Sequence, residues 1–168
     1  MLKIQNLTKI YDGGVLALDN VSFEVPEGQF LAIIGLSGSG KSTLLRCINR
    51  LIEPTEGTIL WNGKDITKAS DDEMRHIRRK IGMVFQHFNL VHRSSVLTNV
   101  LAGRLGYVNP AMSILNRFPQ SDIDNAIKQL DRVGIADKAY SRADELSGGQ
   151  QQRVGVARAM MQNPEIIL

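Results

Sequence analysis

Residues 33–43 read Ile33-Ile34-Gly35-Leu36-Ser37-Gly38-Ser39-Gly40-Lys41-Ser42-Thr43, and the stretch from Gly35 to Ser42 fits the pattern GxxxxGK[ST]. Glycines at these places let the backbone turn tightly enough to point successive N–H groups inward. The result is a concave anion nest at the positive end of the helix that follows. A phosphate fits such a nest. Lys41 then reaches the β- and γ-phosphates as a point charge, and the Ser42 hydroxyl completes the shell of a Mg²⁺ ion. The flanks agree with this mechanism. Gln29–Ile34 is an apolar run of the buried-strand type, and Leu44, Leu45, Ile48 and Leu51 recur at helical spacing. Strand, phosphate loop and helix in that order predict an α/β nucleotide-binding fold.

Upstream of the loop, Leu2 and Ile4 alternate with Lys3 and Gln5, and Val21, Phe23 and Val25 alternate with Ser22 and Glu24. This is the period of antiparallel strands, with Asp12-Gly13-Gly14 and Pro26-Glu27-Gly28 as their turns. Tyr11 stands just before the first turn. It is either a strand-end aromatic half-buried on the sheet or a face on which an adenine ring stacks.

Downstream, Glu53–Gly57 breaks the helix. Thr58–Trp61 followed by Asn62-Gly63 reads as a strand entering a tight hairpin, with Trp61 as packing. Residues 70–80 open on Ser-Asp-Asp-Glu and close on Arg75, Arg78, Arg79 and Lys80, the charge order of a helix with a solvated basic face. Ile81–Phe85 predicts a second buried strand. Gln86 leaves it at the carboxyl end, where α/β sheets place ligand groups, although many strands end in a polar residue that only meets solvent. Phe88 and Leu90, apolar and close behind Gln86, are suited to pass movement to a partner.

Val96, Leu97, Val100 and Leu101 make a helical stripe, and Gly103–Pro119 is irregular, broken at Gly106, Pro110 and Pro119. Ser121 is expected to cap an amphipathic helix through Ile123, Ala126, Ile127, Leu130 and Val133 that Gly134 stops. Leu146-Ser147-Gly148-Gly149-Gln150 then starts a helix that Asn163-Pro164 ends. Ser147 is a natural cap there, and the two glycines either tighten the cap or leave their N–H groups open as a second anion site.

The totals describe an ordinary globular chain of 168 residues with 43% hydrophobic and 22% charged residues. Twenty basic against 17 acidic residues leave a net charge of +3, too mild to argue for a nucleic-acid partner. The single Cys47 excludes a disulfide framework and suits a small buried position. His76, His87 and His92 have no metal-ligand spacing. No apolar run approaches the roughly 18 residues of a membrane span, and residues 1–12 lack the apolar core of a signal peptide.

Taken together, GLSGSGKST at 35–43, Gln86 after IGMVF, and LSGGQQQRVGVARAM at 146–160 resemble the Walker A, Q-loop and signature motifs of the ABC-transporter ATPase family. Residues 86–107 are more narrowly similar to the phosphonate importer ATPases of bacteria; importers of phosphate, methionine or polar amino acids share the framework. The resemblance implies a P-loop NTPase fold with a RecA-like core, an antiparallel β subdomain and an α-helical insertion. Residues 1–87 and 145–168 would form the core with its β subdomain, and 88–144 the helical subdomain. It also implies ATP and Mg²⁺ as ligands. Gly35, Ser37, Gly38, Ser39, Gly40, Lys41, Ser42 and Thr43 would hold the phosphates, with Tyr11 on the base. Ser42 and Gln86 would meet the metal, and Lys41 and Gln86 would take part in hydrolysis. Ser147, Gly148, Gly149 and Gln150 would clamp the γ-phosphate from a second copy in a head-to-tail homodimer. Residues 88–144 would dock on transmembrane permease subunits at the cytoplasmic face of the membrane, with a solute-binding protein engaged indirectly.

Asn163–Leu168 resembles the start of the Walker B strand, and the Asp and Glu that follow it in the family do not occur within residues 1–168. The resemblance therefore implies an N-terminal piece of the ATPase domain that does not turn over ATP alone. A soluble ABC-type ATPase of repair is a poorer match, since the interval from Gln86 to Leu146 is short and has no sustained heptads. A non-catalytic nucleotide-binding module remains the alternative from another class.

Overall fold

The alternation at the N-terminus folds into an antiparallel sheet whose central strand is β1 (Leu2–Tyr11). It is flanked by β2 (Val15–Val25) on one side and β3 (Glu56–Trp61) on the other, with β4 (Lys64–Asp65) outside β3. The computed structural model describes residues 1–86, 88–108 and 117–168. These form two compact units, Met1–Met74 and Arg75–Leu168.

In the first unit β1 buries Leu2, Ile4 and Leu7. The step from an even to an odd position comes from a register shift between Ile4 and Leu7, where Asn6 takes a left-handed φ of 51°. Tyr11 pairs with Val15 across the Asp12-Gly13-Gly14 turn, and Trp61 pairs with Lys64 across Asn62-Gly63. Both turns fall where the sequence puts them, and Trp61 is buried. Helix α1 (Lys41–Ile48) buries Leu44, Cys47 and Ile48, and burial pushes the Cys47 thiol up from its ordinary value. Helix α2 (Asp71–Arg78) opens on a capping box. Ser70 N donates to Glu73 Oε2 at 2.9 Å and Glu73 N donates to Ser70 Oγ at 3.4 Å.

The expected buried strand at 29–34 does not form. Beyond the Pro26–Gln29 turn the chain runs irregularly, and Phe30 and Ile34 are 91% and 92% exposed. A strand is made by a neighbour that completes its ladder, and among the described residues none pairs with this run. Its apolar composition survives as an exposed apolar edge.

In the second unit β5 (Ile81–Gly82) pairs in parallel with β6 (Ile166–Ile167). The expected strand 81–85 is thus shortened. Val84 N still donates to Leu168 O at 2.9 Å, beyond the paired residues. Helices α3 (Val96–Leu101), α4 (Gln120–Arg132) and α5 (Gly148–Met161) pack pairwise around one core that includes Val96, Val100, Ala126, Leu130, Val154, Ala157 and Met161. α4 begins two residues earlier than expected, with Pro119 rather than Ser121 at its cap and no capping side chain. Proline's fixed φ, here −56°, pre-sets the turn without a hydroxyl. Gly134, at φ 69°, ends the helix as expected, with Ile135 N donating to Leu130 O at 3.0 Å. Gly103 lies against α5 so closely that a Cβ there would stand 2.3 Å from Arg158 O, so only glycine permits this approach. The break expected at Pro110 lies outside the described residues, as does His87.

Candidate phosphate-binding site

The first glycine loop is positioned by β2 and α1. Gly40 caps α1 at φ 83°, and a Cβ on it would meet Ala17 O at 2.2 Å, so both conformation and space require glycine. Gly38 is also left-handed, at φ 82°. Lys41 curls back over the loop. Its ammonium donates to Leu36 O at 2.6 Å, Gly35 O at 2.9 Å and Ser39 Oγ at 3.3 Å. Three oxygens on one ammonium are the arrangement that phosphate oxygens would take over. The N–H groups of the first turn, at Lys41, Ser42 and Thr43, have no partner within the helix and add the helix dipole at the same point. Ser37 and Ser42 are exposed beside them.

Tyr11, the last residue of β1, reaches this helix. Its hydroxyl lies 3.1 Å from Thr43 Oγ1, its side chain is 36% exposed, and Lys9 Nζ stands 5.4 Å from the ring centroid. Tyr11 is thus an aromatic half in water and tethered to α1. Tyr11→Ala in the full-length protein is expected to weaken ATP binding by about 1 to 3 kcal/mol, the value of one base–aromatic stack, while Tyr11→Phe stays close to wild type. Fluorescent-nucleotide titration checks this. Unchanged affinity with a large fall in melting temperature would return Tyr11 to a packing role.

The second glycine segment belongs to the other unit. Ser147 caps α5, with Gln150 N donating to Ser147 Oγ at 3.3 Å and Ser147 N donating to Gln150 Oε1 at 2.9 Å. This uses the serine oxygen as an acceptor and leaves its proton free. Gly148 and Gly149 are exposed at the first two positions of α5, where a helix leaves its N–H groups without a partner of its own. Gln151 fixes the segment by donating to Ala143 O at 3.2 Å and Leu146 O at 3.1 Å. The capping reading therefore holds, and the cap leaves Gly148 and Gly149 exposed.

Gln86 is exposed just beyond β5. The pair behind it is not an outward surface. Leu90 is buried in the core of the second unit and Phe88 packs against that core, because the chain turns inward there through left-handed φ values of 56° at Phe88 and 47° at Asn89. The sequence reading missed Arg158, whose guanidinium holds this turn by donating to Phe88 O at 2.5 Å and Asn89 O at 2.8 Å. The available signal was its spacing of seven from Gln151, which puts both on one face of α5.

A glycine loop opening a helix under a curled lysine, in a chain that also carries a second helix opening on free glycine amides, defines a P-loop nucleotide-binding cassette. The ABC transporter family model matches residues 18–168, and the chain belongs to that family. It is 58% identical over all 168 residues to the phosphonates import ATP-binding protein PhnC 2 of Synechococcus sp. and 52% identical to PhnC 1 of Halalkalibacterium halodurans. It spans 62% and 65% of the length of those two relatives. Among solved structures it superposes on the dimeric ABC transporter cassette MJ0796 with a TM-score of 0.87 at 39% identity, over 99% of this chain and 72% of that one. On CbiO1 of Clostridium perfringens the TM-score is 0.81 at 30% identity, over 99% and 63% of the two chains.

Proposed function

We propose that the full-length protein is the ATP-hydrolysing subunit of a bacterial ABC importer and that it energises uptake of phosphonates. The observation that carries this reading is that relatives named as phosphonates import ATP-binding proteins match the whole chain, or 99% of it, at 50–58% identity. The geometry of the glycine loop supports the ATP part of it.

In this reading Gly35, Ser37, Gly38, Ser39, Gly40, Lys41, Ser42 and Thr43 hold the phosphates and Tyr11 the base. Lys41 exchanges its loop oxygens for phosphate oxygens. The Ser42 hydroxyl, exposed at the first turn of α1, is a hard oxygen donor of the kind a divalent ion accepts beside phosphates, so the residues fit Mg²⁺. Held there by Ser42, such an ion would supply positive charge against the phosphates. Gln86, an exposed amide, would meet the ion and take part in hydrolysis. Two copies meet head to tail, with Ser147, Gly148, Gly149 and Gln150 of one facing the phosphates on the other. Residues 88–144 dock on permease subunits at the cytoplasmic face of the membrane, and a solute-binding protein acts through those subunits.

The test is the full-length protein with its permease in proteoliposomes, supplied with the solute-binding protein. ATP hydrolysis is expected to rise several-fold, in the manner of ligand coupling, when the binding protein carries an alkylphosphonate. Stimulation by methionine or a polar amino acid in place of the phosphonate would overturn the substrate assignment.

A further inference from the structure

α5 begins at the free amides of Gly148 and Gly149 and runs without a break to Met161. Arg158 lies nine residues past Gly149, about 14 Å along the helix. There it donates to two successive carbonyls, Phe88 O and Asn89 O, of the loop that leaves Gln86. These are the two successive residues in left-handed backbone, a conformation that non-glycine residues hold only when their surroundings fix it. The planar guanidinium presents several donors in a rigid fork and so spans two adjacent carbonyls; an ammonium is a single point charge on a flexible stem. Burial also pushes the guanidinium down from its ordinary value, the mark of a charge taken out of water to make these bonds.

We infer that Arg158 is a positioning residue that ties the loop carrying Gln86 to the helix opening at Ser147, so that displacement at one glycine-flanked anion site is delivered to the polar group at the other end. The inference rests on the ATPase reading for its catalytic consequence and on the described geometry for the tie itself. Movement then passes inward, through α5, rather than outward through Phe88 and Leu90.

The experiment uses full-length Arg158→Lys, with Arg158→Gln as a second variant that keeps a neutral donor. Steady-state ATPase kinetics and site-resolved amide exchange are measured on both. A tie of this kind predicts kcat lowered about tenfold with KM for ATP within about twofold, because the phosphate loop belongs to the other unit. Amides of Phe88–Leu90 should exchange faster while those of α3 keep their protection. Unchanged exchange at 88–90 in both variants would overturn the inference. So would equal loss of protection across α3, which marks a residue that merely holds the core. If wild-type protein hydrolyses no ATP while Arg158→Lys still loosens 88–90 alone, the ATPase reading fails and the tie stands.

Discussion

Lys41→Ala in the full-length protein is expected to lower ATP turnover by at least about 10²-fold, the usual effect of deleting one preorganised donor to a transferring group. The fold should barely notice. Lys41 spends its ammonium on Leu36 O, Gly35 O and Ser39 Oγ, all in an exposed loop where water can replace it. No core contact depends on the side chain, so the melting temperature should stay within a few degrees of wild type. Lys41→Arg should be nearly as damaging, because a planar fork cannot occupy a site shaped around a point charge. Phosphate release alongside thermal unfolding separates the effects. Turnover within threefold of wild type would remove Lys41 from the chemistry.

The second large effect concerns the pairing of the two glycine sites, which follows from the proposed head-to-tail dimer. Lys41→Ala removes phosphate binding on one side, and Ser147→Arg fills the space over the exposed amides of Gly148 and Gly149 on the other, so each mutant homodimer should be inactive. Mixed one to one, the heterodimer has one doubly damaged site and one intact site, and activity should return if a single site turns over. Wild type mixed with a chain carrying both substitutions gives heterodimers with one defect in each site, and these should be silent. If both segments served one nucleotide within one chain, the first mixture would stay dead and the second would keep its wild-type half. Phosphate release from purified heterodimers reads the difference.

Local features of this chain were legible in the sequence because their causes are local. Gly40 must be glycine for its φ and for Ala17 O, Asn62-Gly63 makes its hairpin from its own dihedrals, and Ser147 caps α5 with an atom three residues from its donor. The features that escaped depend on something distant. The apolar pattern of 29–34 reports a buried type of side chain but says nothing of what covers it, and in this structure nothing among the described residues pairs with it. The inward turn at Phe88 and Asn89 is held by an arginine some 70 residues away. No window of sequence around Gln86 contains that arginine. At Ser121 the error was smaller: two residues could start the same helix, and the dihedral of Pro119 decided between them.

The pairing of β5 with β6 also sets a timetable for synthesis. Lys80 and Glu165, which flank the two strands and bridge at 2.8 Å, are 85 residues apart, whereas β1 finds β2 across a three-residue turn. At the usual ribosomal pace of about 5–20 residues per second, β5 waits roughly 4 to 17 s after leaving the peptidyl-transferase centre before β6 has even been made. The sheet of the first unit can close well inside that interval. Phe30, Ile34 and Leu36 meanwhile remain in water. That leaves this stretch open to a holding chaperone throughout synthesis, since the folded chain leaves it exposed as well.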